Sequence, residues 1–163
     1  MKNSPQVTNG AIPVLSVSPV EADSFALQEI LTRVRCALES NCEFAVIASG
    51  TLTSALAALL KQQFAIVICE RDVQPGSWKD LLQHINLLPN PPSLIVTSRL
   101  ADDRLWAEAL NLGAYDVLAK PFDGTEVRRV VCAAWRAWSR PGPGREARQE
   151  GCKWNTMTMA EAS

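Results

Sequence analysis

The side chains that could do chemistry in this chain stand just after runs of apolar residues. Ser18-Pro19 follows Ile12–Val17, Ser49-Gly50 follows Phe44–Ala48, and Glu70-Arg71-Asp72 follows Phe64–Cys69 (FAIVIC). Thr97-Ser98 closes Leu94–Thr97, and Lys120-Pro121 follows Tyr115–Ala119. The set contains a carboxylate (Glu70), a hydroxyl (Thr97) and an ammonium (Lys120). Glu70 can reach a nearby ammonium, so an ion pair between Glu70 and Lys120 is expected. Glu21, Asp23 and Asp72 offer a second arrangement, a set of oxygen donors suited to a hard divalent cation. Against it, Asp23 or Ser24 is expected to cap the helix that follows, with Glu21 favouring its positive end. The capping reading is preferred. Cys69 ends an apolar run with no histidine partner and reads as a small core residue rather than a nucleophile. His84, between Leu82 and Ile85, reads as structural. Five scattered cysteines without CxxC spacing and one histidine leave no zinc site.

Those residues need elements to hold them. The apolar runs have strand length and little polar alternation, as expected for parallel strands covered on both faces. Helical spacing fills the intervals. Leu27, Ile30, Leu31, Val34 and Leu38 share one face, as do Leu52, Leu56, Leu59 and Leu60. Trp78, Leu81, Leu82, Ile85 and Leu88 form a third stripe, opened by Ser77 as N-cap and stopped by Pro89-Asn90-Pro91-Pro92. Leu105, Ala109 and Leu112 form a fourth, closed by Gly113. Asp123-Gly124-Thr125-Glu126 opens a fifth, with Val127, Val130, Val131, Ala134 and Trp138 on one face. Five βα units over residues 11–139 predict a three-layer α/β domain, a doubly wound parallel sheet of five strands. Residues 1–10 and the polar stretch 140–163 are expected to be flexible flanks.

Composition narrows the function classes. Apolar residues are 47% and charged residues 20% of 163, the balance of a globular domain. With 16 Lys plus Arg against 17 Asp plus Glu, no strong basic field exists for nucleic acid. No apolar run approaches the roughly 20 residues of a membrane helix, and no signal peptide is legible. A reducing cytoplasm is the expected setting.

The order of elements, the hydroxyl closing the fourth run, Gly113-Ala114 before the fifth and Lys120-Pro121-Phe122 after it resemble the receiver domain of bacterial response regulators. GAYDVLAKPF is the most specific stretch. The resemblance implies the flavodoxin-like (CheY-like) strand order 2-1-3-4-5 and a place in two-component phosphorelay signalling. In that family an Asp after strand three accepts a phosphoryl group. An acidic pair after strand one helps hold magnesium, and a hydroxyl and a lysine contact the phosphoryl oxygens. Here Thr97, Lys120 and Pro121 match, and Glu70 stands at the acceptor position. Ser18 and Pro19 stand where the acidic pair belongs, so magnesium binding is expected to be weak or absent. Val117 holds the aromatic switch position, with Tyr115 a weak substitute; Asp72 is a possible displaced acceptor. The expected protein is a degenerate, stand-alone, non-enzymatic receiver. It acts through protein partners such as a histidine kinase or a downstream effector, with conventional phosphorylation atypical or lost.

Two alternatives stay beside it. One is a constitutive adaptor that never switches. The other is a cofactor binder, since Ser49–Thr53 is similar to the phosphate loop of flavodoxins although it follows the second strand instead of the first. Trp106, Tyr115, Arg128 and Trp135, together with Arg129, Arg136, Trp138 and Arg140, mark a possible interface on the face of helix four, strand five and helix five, where a homodimer could form.

Overall fold

The computed structural model describes residues 11–32 and 43–139. The expectations for residues 1–10 and 140–163, and for Val34, Leu38 and Arg140, lie outside those residues. Among the described residues five strands alternate with five helices. They are β1 (Ala11–Val17), α1 (Glu21–Thr32), β2 (Glu43–Ser49), α2 (Leu52–Lys61), β3 (Ile66–Glu70), α3 (Trp78–Asn86), β4 (Ser93–Ser98), α4 (Asp103–Leu112), β5 (Asp116–Ala119) and α5 (Gly124–Ser139). All pairings are parallel, in the order β2-β1-β3-β4-β5.

The sheet divides the core by residue parity, because successive side chains on a strand face opposite ways. Leu15, Val17, Val67, Cys69, Leu94, Val96 and Val117 pack with α2, α3 and α4. Ile12, Val14, Ile66, Ile68, Ile95 and Leu118 pack with α1 and α5. Both faces are thus apolar, the physical reason the strand sequences lack alternation. Among the described residues no helix is long and apolar enough to cross a membrane.

Local chemistry sets the boundaries. Ser77 accepts a hydrogen bond from the Lys79 amide, and the Ser77 amide donates to Asp80 Oδ2 at 2.8 Å, closing a capping box on α3. Asp102 caps α4, and Gly113 ends it at φ 108°, in the left-handed region that glycine enters without a Cβ penalty. Asp123 accepts from the Thr125 amide at 2.9 Å at the start of α5. At the edge of the sheet, the Gln28 side chain of α1 accepts a hydrogen bond from the Val46 amide of β2 at 2.9 Å.

Some sequence expectations need correction. Leu60 shares the predicted apolar face of α2 but is 82% exposed; Leu52, Ala55 and Leu59 carry the packing. The helical stripe extended one position too far. Tyr115 precedes β5 and packs against the α1–α5 core, whereas Val117 faces the other side, so Tyr115 does not substitute at that position. Trp138 is buried, donates its indole N–H to the Pro91 carbonyl and stacks on half-buried Trp135 with ring centroids 5.7 Å apart. Both α5 tryptophans pack into the α1–α5 core. Of the aromatic residues in the expected interface, Trp106 alone is largely exposed.

The contrast between two leucines tests this packing. Leu81→Ala removes a fully buried side chain and is expected to cost about 2–5 kcal/mol, while Leu60→Ala stays within about 0.5 kcal/mol. Urea unfolding of the two variants measures both.

Candidate functional site

The parity that divides the core also aligns the ends of the strands. Glu70 continues the series Ile66 and Ile68, Thr97 follows Ile95, Lys120 follows Leu118, and Ser18 follows Ile12, Val14 and Ser16. All four positions therefore fall on the α1 side at the carboxyl end of the sheet, the customary working end of an open parallel sheet. Register fixes them laterally. Glu70 lies opposite Thr97, and backbone pairing runs one residue beyond β1, β3 and β5. The Arg71 amide donates to Thr97, Lys120 to Ser98 and Ser18 to Ser49.

Lys120 is the centre of the cluster. Its ammonium is ion-paired to Glu70 Oε2 and to Asp23 Oδ2. Thr97 Oγ1 donates to the same Glu70 oxygen at 3.4 Å, and Ser18 Oγ donates to the same Asp23 oxygen at 2.8 Å. The Lys120, Asp23 and Glu70 side chains are 9%, 18% and 14% exposed, so water and salt screen the triad far less than a surface pair. Burial this deep is tolerable because opposite charges and hydroxyl donors take the place of hydration.

The Glu70–Lys120 pair expected from the sequence is formed. The role of Asp23 differs from the expected cap. Ser18 Oγ also accepts from the Val20 amide at 3.2 Å, a short hydroxyl turn that folds the chain back after β1. Buried Ser24 hydrogen-bonds buried Ser16 at 2.8 Å, pinning the first turn of α1 to β1. With α1 held so, Asp23 is directed over the strand ends, and neither Asp23 nor Ser24 serves as the cap. The sequence signal for this was Ser18 itself. A buried hydroxyl at the expected place of a carboxylate can recruit a carboxylate from the next helix.

The other candidates lie apart. The Asp72 side chain is 80% exposed and reaches only the neighbouring Arg71, at 3.9 Å. Glu21 and Pro19 are exposed. The alternative cation site of Glu21, Asp23 and Asp72 is not assembled, and among the described residues no group of three His, Cys, Asp or Glu side chains could hold a metal. The donor set also fits magnesium poorly: Pro19 has no donor, Ser18 is engaged with Asp23, and both carboxylates are committed to an ammonium. Cys69 is fully buried; burial pushes its thiol far up, Glu70 adds to this and Lys120 opposes it, so it forms no ready thiolate. His84 is exposed on α3 and bonds the Asp80 carbonyl through Nδ1. Thr51, in the flavodoxin-like loop, caps α2 by a capping box with Ser54.

If the triad holds these loops together, its members are energetically coupled. Lys120→Met strands two carboxylates and is expected to cost about 2–4 kcal/mol. Glu70→Gln with Lys120→Met should cost less than the sum of the single changes, by about 1–3 kcal/mol. A double-mutant cycle in urea checks this.

No protein-family model matches the chain, and no curated protein matches it. Solved structures do. The signal receiver domain of an HD domain-containing protein from Pseudomonas fluorescens superposes with a TM-score of 0.67 at 23% identity, over 84% of this chain and 95% of that one. The chemotaxis response regulator CheY4 of Vibrio cholerae gives 0.61 at 16%, over 76% and 98%. The beryllofluoride-activated NtrC4 receiver domain dimer gives 0.67 at 20%, over 78% and 98%. At these identities the likeness establishes the fold, which is that of receiver domains, and the strand order agrees with it.

Proposed function

We propose that this domain works as a receiver-type signalling module whose state is set by its own charged residues instead of by phosphorylation, and that it acts by docking to other proteins. The carrying observation is the double ion pair of Lys120 with Glu70 and Asp23, with Thr97 donating to Glu70. In receivers the lysine and the hydroxyl after strand four are the groups that meet the phosphoryl oxygens. Here both are already engaged by a carboxylate one methylene longer than aspartate. That carboxylate reaches the ammonium and the hydroxyl together and supplies permanent negative charge at the strand ends.

The same geometry argues against conventional chemistry. Phosphoryl transfer to a carboxylate requires cationic charge spread over the transferred oxygens. The one ammonium in the cluster is spent on two carboxylates, and Ser18 and Pro19 offer no anionic pair for magnesium. We assign no catalytic role to any residue of the cluster.

Partner docking has a supporting surface. Trp106 is 51% exposed on α4 and Leu100, 72% exposed, stands just before it. Arg129 and Arg136 are exposed on α5. Trp and Arg are enriched where interfaces gain most of their energy. The beryllofluoride-activated NtrC4 receiver domain is a dimer; for this chain we propose a homodimer through α4, β5 and α5. The setting we assign is the cytoplasm, where such signalling modules meet their kinases and effectors.

Two measurements test the reading. Intact-mass spectrometry after incubation with acetyl phosphate and magnesium should reveal no added phosphoryl group. A gain abolished by Asp72→Asn or Asp23→Asn would overturn it by giving the domain a working acceptor. Amide NMR spectra with and without beryllofluoride and magnesium should superimpose; shifts at Thr97 and along α4 would identify a switching receiver.

A further inference from the structure

A groove of about 330 Å³ opens at the end of the sheet opposite the ion-paired cluster. Leu59, Leu60 and Phe64 line one wall, where α2 gives way to β3, and Leu88, Pro89 and Pro92 line the other, in the α3–β4 connection. Leu60 is 82% exposed and Leu87, beside Leu88, 84%. Leu60 in the wall and Leu87 beside it leave apolar surface open to water at a concave site, the kind of surface that interaction sites use.

The fold brings the end of α5 to this groove. Trp138, in the last turn of α5, donates Nε1–H to the Pro91 carbonyl at 3.2 Å, within the same Pro89–Pro92 loop. The chain therefore passes Ser139 beside the groove wall. Residues 140–153 contain no apolar side chain larger than proline or cysteine, and then Trp154, Met157 and Met159 come close together. Between Ser139 and Trp154 the chain reaches roughly 50 Å when extended, against a radius of gyration of about 14 Å for a domain of this size. Tethering keeps such a segment at high local concentration, on the order of millimolar. Indole supplies a large apolar area and methionine adapts to irregular walls. Lys61 lies at the groove, and Glu161 follows the apolar segment while Lys153 adjoins Trp154, so an acidic partner for Lys61 is available on the carboxyl-terminal side of the segment.

We propose that Trp154–Met159 of this chain docks in the groove, with Trp154 as its anchor. The contact would tie the segment following α5 to α2 and the α3–β4 loop. The inference does not depend on the functional reading of the ion-paired cluster.

The full chain labelled with 5-fluorotryptophan tests it by ¹⁹F NMR, the Trp154 resonance being assigned with Trp154→Phe. Docking predicts a Trp154 resonance displaced from its position in urea and a reduced H₂O/D₂O isotope shift. Leu60→Glu, at an exposed position, and independently Lys61→Glu should each move it toward the unfolded position. The Trp78 resonance, from a fully buried side chain, should stay in place and report an intact fold. A Trp154 signal already at the unfolded position in the unsubstituted chain overturns the proposal, as does one that both substitutions leave unmoved. Displacement that grows with protein concentration also overturns it, by assigning the contact to a second copy.

Discussion

A lysine ammonium removed from water must be neutralised where it stands, and much of the carboxyl end of this sheet is arranged around that requirement. Lys120 leaves β5 on the face covered by α1. It finds Glu70 at the end of β3 and Asp23 on α1, and each carboxylate oxygen it meets also accepts a hydroxyl. A helix, a strand end and a loop far apart in sequence are thereby fixed to one point. Such a cluster contributes specificity of arrangement as much as net stability, because the same charges in water would interact weakly.

The fold was almost fully legible in the sequence, and the reason is physical. A parallel sheet buried on both faces demands unbroken apolar runs, and runs such as FAIVIC satisfy little else. Ser77, Gly113 and Asp123 announced helix boundaries because each performs a local backbone task that neighbouring sequence already implies. Leu60 misled because helical period identifies a stripe but not where along it the helix leaves the core. Tyr115 misled too: it stands before the first residue of β5 and packs into the α1–α5 core, while Val117 faces the other side.

The site was half legible. Glu70 ends β3 and Lys120 follows β5, the two strands that flank β4, so their pairing could be anticipated from residue type and order. Asp23 could not be separated from a helix cap by spacing alone, since an acidic residue in a first turn is favoured there anyway. What decided its role was the Ser18 turn and the Ser16–Ser24 bond, two contacts that set the angle at which α1 meets the sheet. Hydroxyl-to-hydroxyl contacts have no characteristic sequence signature.

The Gln28 side chain on the Val46 amide has an effect beyond joining α1 to β2. β2 borders the sheet, and an unclaimed main-chain donor there would be an invitation to lateral growth by a foreign strand. A carboxamide already seated on that donor makes any newcomer displace it first. Protection of this border thus rests partly on a glutamine that takes no part in the charged cluster.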